Sequence, residues 1–189
     1  MARRPRTKSD TKGEEPVERP SLKVWVAMGS DSDLPIMEEA TKTLKAFGIA
    51  FEIDVVSAHR TPDETARLAR DLEKNGFGAV IVGAGLAAHL AGMVAAHTTL
   101  PVIGVPLPSS SLLGLDSLLS TVQMPAGVPV ATVTIGKSGA QNAAILAAQI
   151  LATGDPGLRE RLQRHKARMA EKVLERNRTL KGGTPPSAA

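Results

Sequence analysis

The chain has no cysteine and no tyrosine, and its aromatic residues are three phenylalanines and one tryptophan among 189 residues. Without cysteine there is no disulfide framework, no thiolate metal site and no sulfur nucleophile, and a reducing cytoplasm is the expected setting. So few aromatics leave nothing on which a nucleic-acid strand could stack its bases. They also require a core built from Ala, Val, Leu and Ile. No stretch reaches the roughly 18 continuous apolar residues of a membrane span, so no membrane association is expected. The opening "MARRPRTKSDTKGEEPVERP" is polar and proline-rich and lacks the apolar segment of a signal peptide. Residues 1–21 are therefore expected to form a disordered leader.

The sequence pI near 9.6 suggests a polyanion partner until the charge is located. Residues 1–21 carry six basic and four acidic side chains, a net +2, and residues 156–189 carry nine and three, a net +6. Residues 22–155 have eight basic against twelve acidic side chains, a net −4. An acidic body with basic ends argues for a solvated basic helix at the C-terminus, and no nucleic-acid partner is expected.

From Leu22 onward, apolar runs of strand length alternate with helical patterns. Strands are predicted at 22–28, 51–57, 79–85, 101–107 and 129–136. Helices are predicted at 34–48, 62–76, 87–97 and 138–152, with a looser segment at 116–124. Pro62 and early acids open the second helix and Gly76 closes it, as Gly48 closes the first. This alternation predicts an α/β domain over 22–155: a three-layer αβα arrangement around a five-stranded parallel sheet buried on both faces. A long amphipathic helix is predicted within 156–181, with Leu158, Leu162, Met169, Val173 and Leu180 along one stripe that a second subunit could cover. Residues 182–189 read as a flexible tail.

Ligands of such sheets bind outside the carboxyl ends of the strands, and the unusual residues of this chain fall there. "MGSDSD" (28–33) offers Gly29 for close approach, hydroxyls from Ser30 and Ser32, and the N-terminus of the next helix: the parts of a phosphate cradle, although a capping turn would use some of the same residues. "SAHRTPDE" (57–64) supplies Arg60 as a fork for an anion and His59 as a proton carrier near neutral pH. "VGAGLAAHLAG" (82–92) has the outline G-x-G-x-x-A of a dinucleotide loop, but the strand that follows lacks the acid such sites need, so a nicotinamide cofactor is not expected. His89 there is read as the start of a helix. "GKS" at 136–138 resembles part of a phosphate loop, but Ala131 stands where its first glycine belongs, so no ATP site follows. His97 and His165 lie in helical patterns and take no role, and no His/Asp/Glu set has metal-ligand spacing.

Together "MGSDSD", "VVSAHRTPD", "GAGLAAHLAGM", "GVPLPSSSLLGLDSLLSTVQMPAGVPVATVTIG" and "NAAILAAQIL" resemble, in order from about Lys23 to Ala152, the PurE family, the N5-carboxyaminoimidazole ribonucleotide mutases of purine biosynthesis. The resemblance implies a flavodoxin-like fold assembled as a homo-octamer. It implies transfer of a carboxylate from N5 to C4 of the aminoimidazole ribonucleotide without ATP, metal or other cofactor. By motif position Ser30, Ser32, Ser57 and Arg60 would hold the phosphate and Asp33 the ribose. His59 would be general acid and base. Ala84, Gly85, Ala87, Ala88 and Leu90 would wall the imidazole, with His89 beside it, in a small, water-poor pocket. The family commonly has Gly where Leu86 stands and Pro where Ala91 stands; if position 86 needs a positive φ, leucine there is strained. Two other readings share the cradle: a direct carboxylase using free CO2, and a nucleotide-phosphate binding module with an inert His59. The long 111–129 segment favours the mutases.

Overall fold

The computed structural model describes residues 22–182. Five parallel strands run in the order β2-β1-β3-β4-β5: β1 Lys23–Met28, β2 Phe51–Val55, β3 Phe77–Ala84, β4 Val102–Pro106 and β5 Ala131–Thr132. Helices α1 (Leu34–Ala46), α2 (Pro62–Asp71), α3 (Leu90–Ala95), α4 (Leu115–Val122) and α5 (Lys137–Leu151) connect or follow them, and α6 spans Pro156–Lys181. This strand order is the flavodoxin-like one, with its reversal between β1 and β3.

Alternate residues of β1 face opposite sides, and each side has its own core. Val24, Val26 and Met28 pack with Met37, Leu44 and the alanines of α5. Trp25 and Ala27 pack with Ala69, Val80, Val82 and Val94. Small alanines at Ala140, Ala143, Ala144, Ala147 and Ala148 are fully buried, which lets α5 lie close to the sheet with almost no aromatic filling. Trp25, itself buried, donates its indole N–H to Asp54 Oδ2 at 2.7 Å, so the single large aromatic leaves no polar group unpaired.

Four elements differ from the sequence reading. β2 is an edge strand, with Ile53 and Val55 exposed, so it is not covered on both faces. β5 is in register with β4 only at Ala131 and Thr132, with one further bond from the Val133 N–H to the Gly104 carbonyl at 3.1 Å; on its N-terminal side Pro129 brings no N–H to the ladder. α2 ends at Asp71, and turns carry the chain to Gly76 at φ 80°. α3 keeps only Leu90–Ala95; Ala87 and Ala88 lie in tight turns before it, and His97 follows it in a turn. The looser 116–124 segment is the helix α4.

α6 starts at an Asp155 cap, whose carboxylate accepts from Leu158 N–H at 2.9 Å. Its first turns belong to the body: Leu158 is buried, Leu162 packs on the core, and the His165 ring meets Phe47 edge-on. Met169, Val173 and Leu180 are exposed. The expected leader (1–21) and all of the expected tail beyond Gly182 lie outside the described residues. Among the described residues no helix is long and apolar enough to cross a membrane.

Candidate active site

Register sets the site. Met28 pairs with Val55 on one side and Gly83 on the other, and Ala84 pairs with Pro106, so the segments after four strands leave the sheet at one level. They enclose a cleft of about 620 Å3 over the point where strand order reverses. Every residue singled out from the sequence lines it: Ser30, Ser32 and Asp33 after β1; Ser57, His59 and Arg60 after β2; Ala84, Gly85, Ala87, Ala88, His89 and Leu90 at the end of β3 and beyond.

The β1 and β2 ends are tied together by Arg60. Its Nη2 donates to the Gly29 carbonyl at 2.7 Å, and its Nε donates to Ser57 Oγ at 3.3 Å. The Ser57 hydroxyl also accepts the Arg60 backbone N–H at 3.2 Å, and the Thr61 hydroxyl accepts the Ser57 N–H at 3.0 Å. Across from them Ser32 Oγ donates to Ser30 Oγ at 2.9 Å, within a short 3-10 turn, Asp31–Asp33, that leads into α1. One guanidinium, three hydroxyls and a helix N-terminus therefore converge, which is the donor set a phosphate monoester needs. Asp33 is buried beside them. Burial, chiefly, pushes its carboxyl above the usual range; the Asp31 charge adds to this, and a backbone hydrogen bond from Ser30 and the Arg60 charge oppose it. A carboxylate so placed gains from hydroxyl donors, and ribose supplies two.

Further along the cleft His59 Nε2 and His89 Nδ1 are 3.1 Å apart, with ring planes inclined at 59°. One of these nitrogens carries the hydrogen, so the tautomer of one ring fixes that of the other. His89 begins α3 as its cap residue, as the sequence suggested, and it also touches the proton carrier, which spacing alone could not reveal. Both rings are exposed in the single chain, so the cleft as it stands is open rather than water-poor.

Leu86 has φ 55°, the left-handed region that costs a leucine about 1–2 kcal/mol. Its side chain is largely exposed and returns little burial. Leu86→Gly is expected to stabilise the fold by about 1 kcal/mol after the extra entropy of glycine in the unfolded chain, raising Tm by roughly 2–4 °C in a thermal melt. Ala91 lies in the first turn of α3, where its N–H is not needed for the helix and proline would also fit, so that departure leaves the loop intact.

The sequence reading missed Ser109 and Ala58, which also line the cleft; Gly29 and Leu86, both noted in the sequence, line it too. The signal was the run "PSSS" directly after β4, at the same level as the other loops, but three adjacent serines do not reveal which one points inward. The dinucleotide outline at 83–88 gains nothing: the helix after it has six residues, and a side chain at Gly83 would strike Met37 of α1. No metal-holding group of His, Asp or Glu occurs among the described residues.

The sequence model of the AIR carboxylase family matches residues 23–172. Among curated proteins, the N5-carboxyaminoimidazole ribonucleotide mutase of Thermotoga maritima is 54% identical over 158 residues, covering 84% of this chain and 91% of its own. The Escherichia coli protein of the same name is 50% identical, covering 81% and 90%. The Mycobacterium tuberculosis one is 54% identical, covering 86% and 91%. The crystal structure of Treponema denticola PurE superposes with a TM-score of 0.78 at 31% identity, covering 85% of this chain and 99% of that one.

Proposed function

The chain belongs to the AIR carboxylase family, and from that membership and its cleft we propose that it is the N5-carboxyaminoimidazole ribonucleotide mutase of purine biosynthesis, acting in the cytoplasm. The observation that carries this reading is the convergence of an anion cradle and a histidine pair in one cleft, on a chain about half identical to proteins of that name.

Ser30, Ser32, Ser57 and Arg60 hold the phosphate, and Asp33 accepts the ribose hydroxyls. The aminoimidazole then lies along Ala84, Gly85, Ala87, Ala88 and Leu90, beside His59 and His89. Protonated His59 gives its proton to the carbamate nitrogen, the N5–carboxyl bond breaks, and CO2 and the free amine result. The amine enriches C4, C4 attacks CO2, and His59 takes the proton that leaves C4, restoring the aromatic ring and its own starting state. Proton and carboxyl balance, so the residues present need no ATP or metal.

CO2 must not escape before recapture, and an open cleft does not hold it. Closure fits assembly as a homo-octamer. Leu112, Leu113, Leu115, Leu119 and Val122 form exposed apolar surface from the loop after Ser109 through α4, and Met169, Val173 and Leu180 do so along α6. A Met169→Glu/Val173→Glu double variant is expected to lower the assembly mass in light scattering while leaving the circular dichroism spectrum unchanged.

The test of the reaction uses substrate carrying 13C in the N5 carbamate, excess unlabelled bicarbonate and no ATP. Label retained in the C4-carboxylated product above the uncatalysed rate supports the mutase. Product with label lost to the pool is the direct carboxylase, and no accelerated product leaves a binding module.

A further inference from the structure

The three strand ends assigned above account for the phosphate, the ribose and the proton, but the cleft has a fourth side. Ser109 stands there, after β4, separated from the Arg60 cradle by the end of β3. Adjacent strands lie about 4.8 Å apart, so β3 and β4 are about 7 and 12 Å from the midpoint of β1 and β2, where the phosphate sits, and Ser109 Oγ leans from β4 over Gly85 at the end of β3. Only the end of an extended ribonucleotide remote from its phosphate reaches that far.

The serine is held in place and its hydroxyl is free. The Ser109 N–H donates to the Leu107 carbonyl at 2.9 Å, which closes a tight turn at the strand end. Its side chain lies so close over Gly85 that a Cβ added there would stand 2.3 Å from Ser109 Oγ. The wall residue is therefore a glycine where this oxygen enters. Among the described residues Ser109 Oγ takes part in no hydrogen bond, whereas Ser117 in the following helix spends its hydroxyl on the Leu107 and Gly114 carbonyls. This hydroxyl is exposed to the cleft and spends its hydrogen on no protein acceptor, so it is free to donate to a ligand bound there.

We propose that Ser109 donates its hydroxyl hydrogen to the migrating carboxyl group, holding it as carbamate, as CO2 and as C4-carboxylate. This assignment rests on the mutase reading. A neutral donor suits the chemistry better than a cation. Charge leaves the carboxyl group when CO2 forms, so a cation would anchor the starting carbamate and raise the barrier, whereas a hydroxyl bonds to all three species. The cation of the cleft, Arg60, lies at the opposite end.

The test is binding as well as turnover. Ser109 is exposed, so Ser109→Ala is expected to melt with the native protein. By calorimetry its affinity for the C4-carboxylated ribonucleotide should fall about tenfold or more, as for a hydrogen bond to a charged group. Its affinity for the same nucleotide without the carboxyl should stay within about twofold. In the 13C experiment the variant should release a larger share of label to the pool. Unchanged affinity for both nucleotides, or equal losses for both, overturns the assignment. A native protein that transfers no carboxyl, yet discriminates the two nucleotides through Ser109, overturns the mutase reading and leaves the Ser109 contact standing. A native protein that binds neither nucleotide removes both.

Discussion

Replacing His59 by asparagine is expected to abolish carboxyl transfer while leaving ribonucleotide affinity within a few fold. General acid–base catalysis by one positioned side chain contributes about 10²–10⁴ in rate, and here the same group is needed twice, for the proton delivered to nitrogen and the proton removed from C4. Asparagine is smaller, its amide nitrogen overlays the imidazole Nδ1 and not the Nε2 that lies 3.1 Å from His89 Nδ1, so that contact is lost, and it does not titrate. The anion cradle does not depend on the imidazole: Arg60 is braced by the Gly29 carbonyl and the Ser57 hydroxyl. A loss confined to kcat is therefore the signature of a proton carrier, read from steady-state kinetics beside a direct binding measurement. A variant with near-normal turnover would show that His59 is not that carrier. A variant that no longer binds would show that the ring holds substrate rather than protons.

How the site could be found in sequence follows from its position. Strand and helix periods alternate strongly from Leu22 to Leu151, so the parallel sheet was legible, and the strand-end rule then pointed to Ser30, Ser32, His59 and Arg60 before any contact was known, while Asp33 entered only through the family resemblance. What was hidden depends on three dimensions. The His59–His89 contact joins residues thirty positions apart, on the loops of β2 and β3, and only the insertion of β1 between those strands brings their carboxyl ends to one level. Ser109 was lost among three serines. The edge position of β2 could be suspected from Glu52 and Asp54, whose charges do not suit a strand covered on both faces, but the aliphatic Ile53 and Val55 masked it. The strain at Leu86 was legible only as a condition, since a residue type does not state its own φ.

Gly139→Ala is expected to be the most damaging single-methyl substitution outside the cleft. A Cβ at this position would lie 1.7 Å from the Thr134 carbonyl oxygen and 2.8 Å from its carbon, and both are backbone atoms that cannot rotate away. On the same side it would meet Val105 of β4 at 3.4 Å. The residue lies in the first turn of α5, whose fully buried alanines fill the space against β3, β4 and α1, so the helix cannot slide outward without opening one of the two cores. Overpacking of this kind costs about 3 kcal/mol or more, a large share of the stability of a domain of this size. It would appear as a lowered denaturation midpoint or as insoluble protein. Gly154→Ala is the control: its nearest neighbour is 3.9 Å away, and the change should stay within about 0.5 kcal/mol. The same contact explains the G-K-S stretch that resembled a phosphate loop. Gly136, at φ 76°, turns the chain into α5, and Gly139 lets the helix rest on the Thr134 carbonyl, so both glycines are accounted for by packing. If Gly139→Ala instead melted with the native protein, α5 would have room to move, and the tight seating of this helix against the sheet would be wrong.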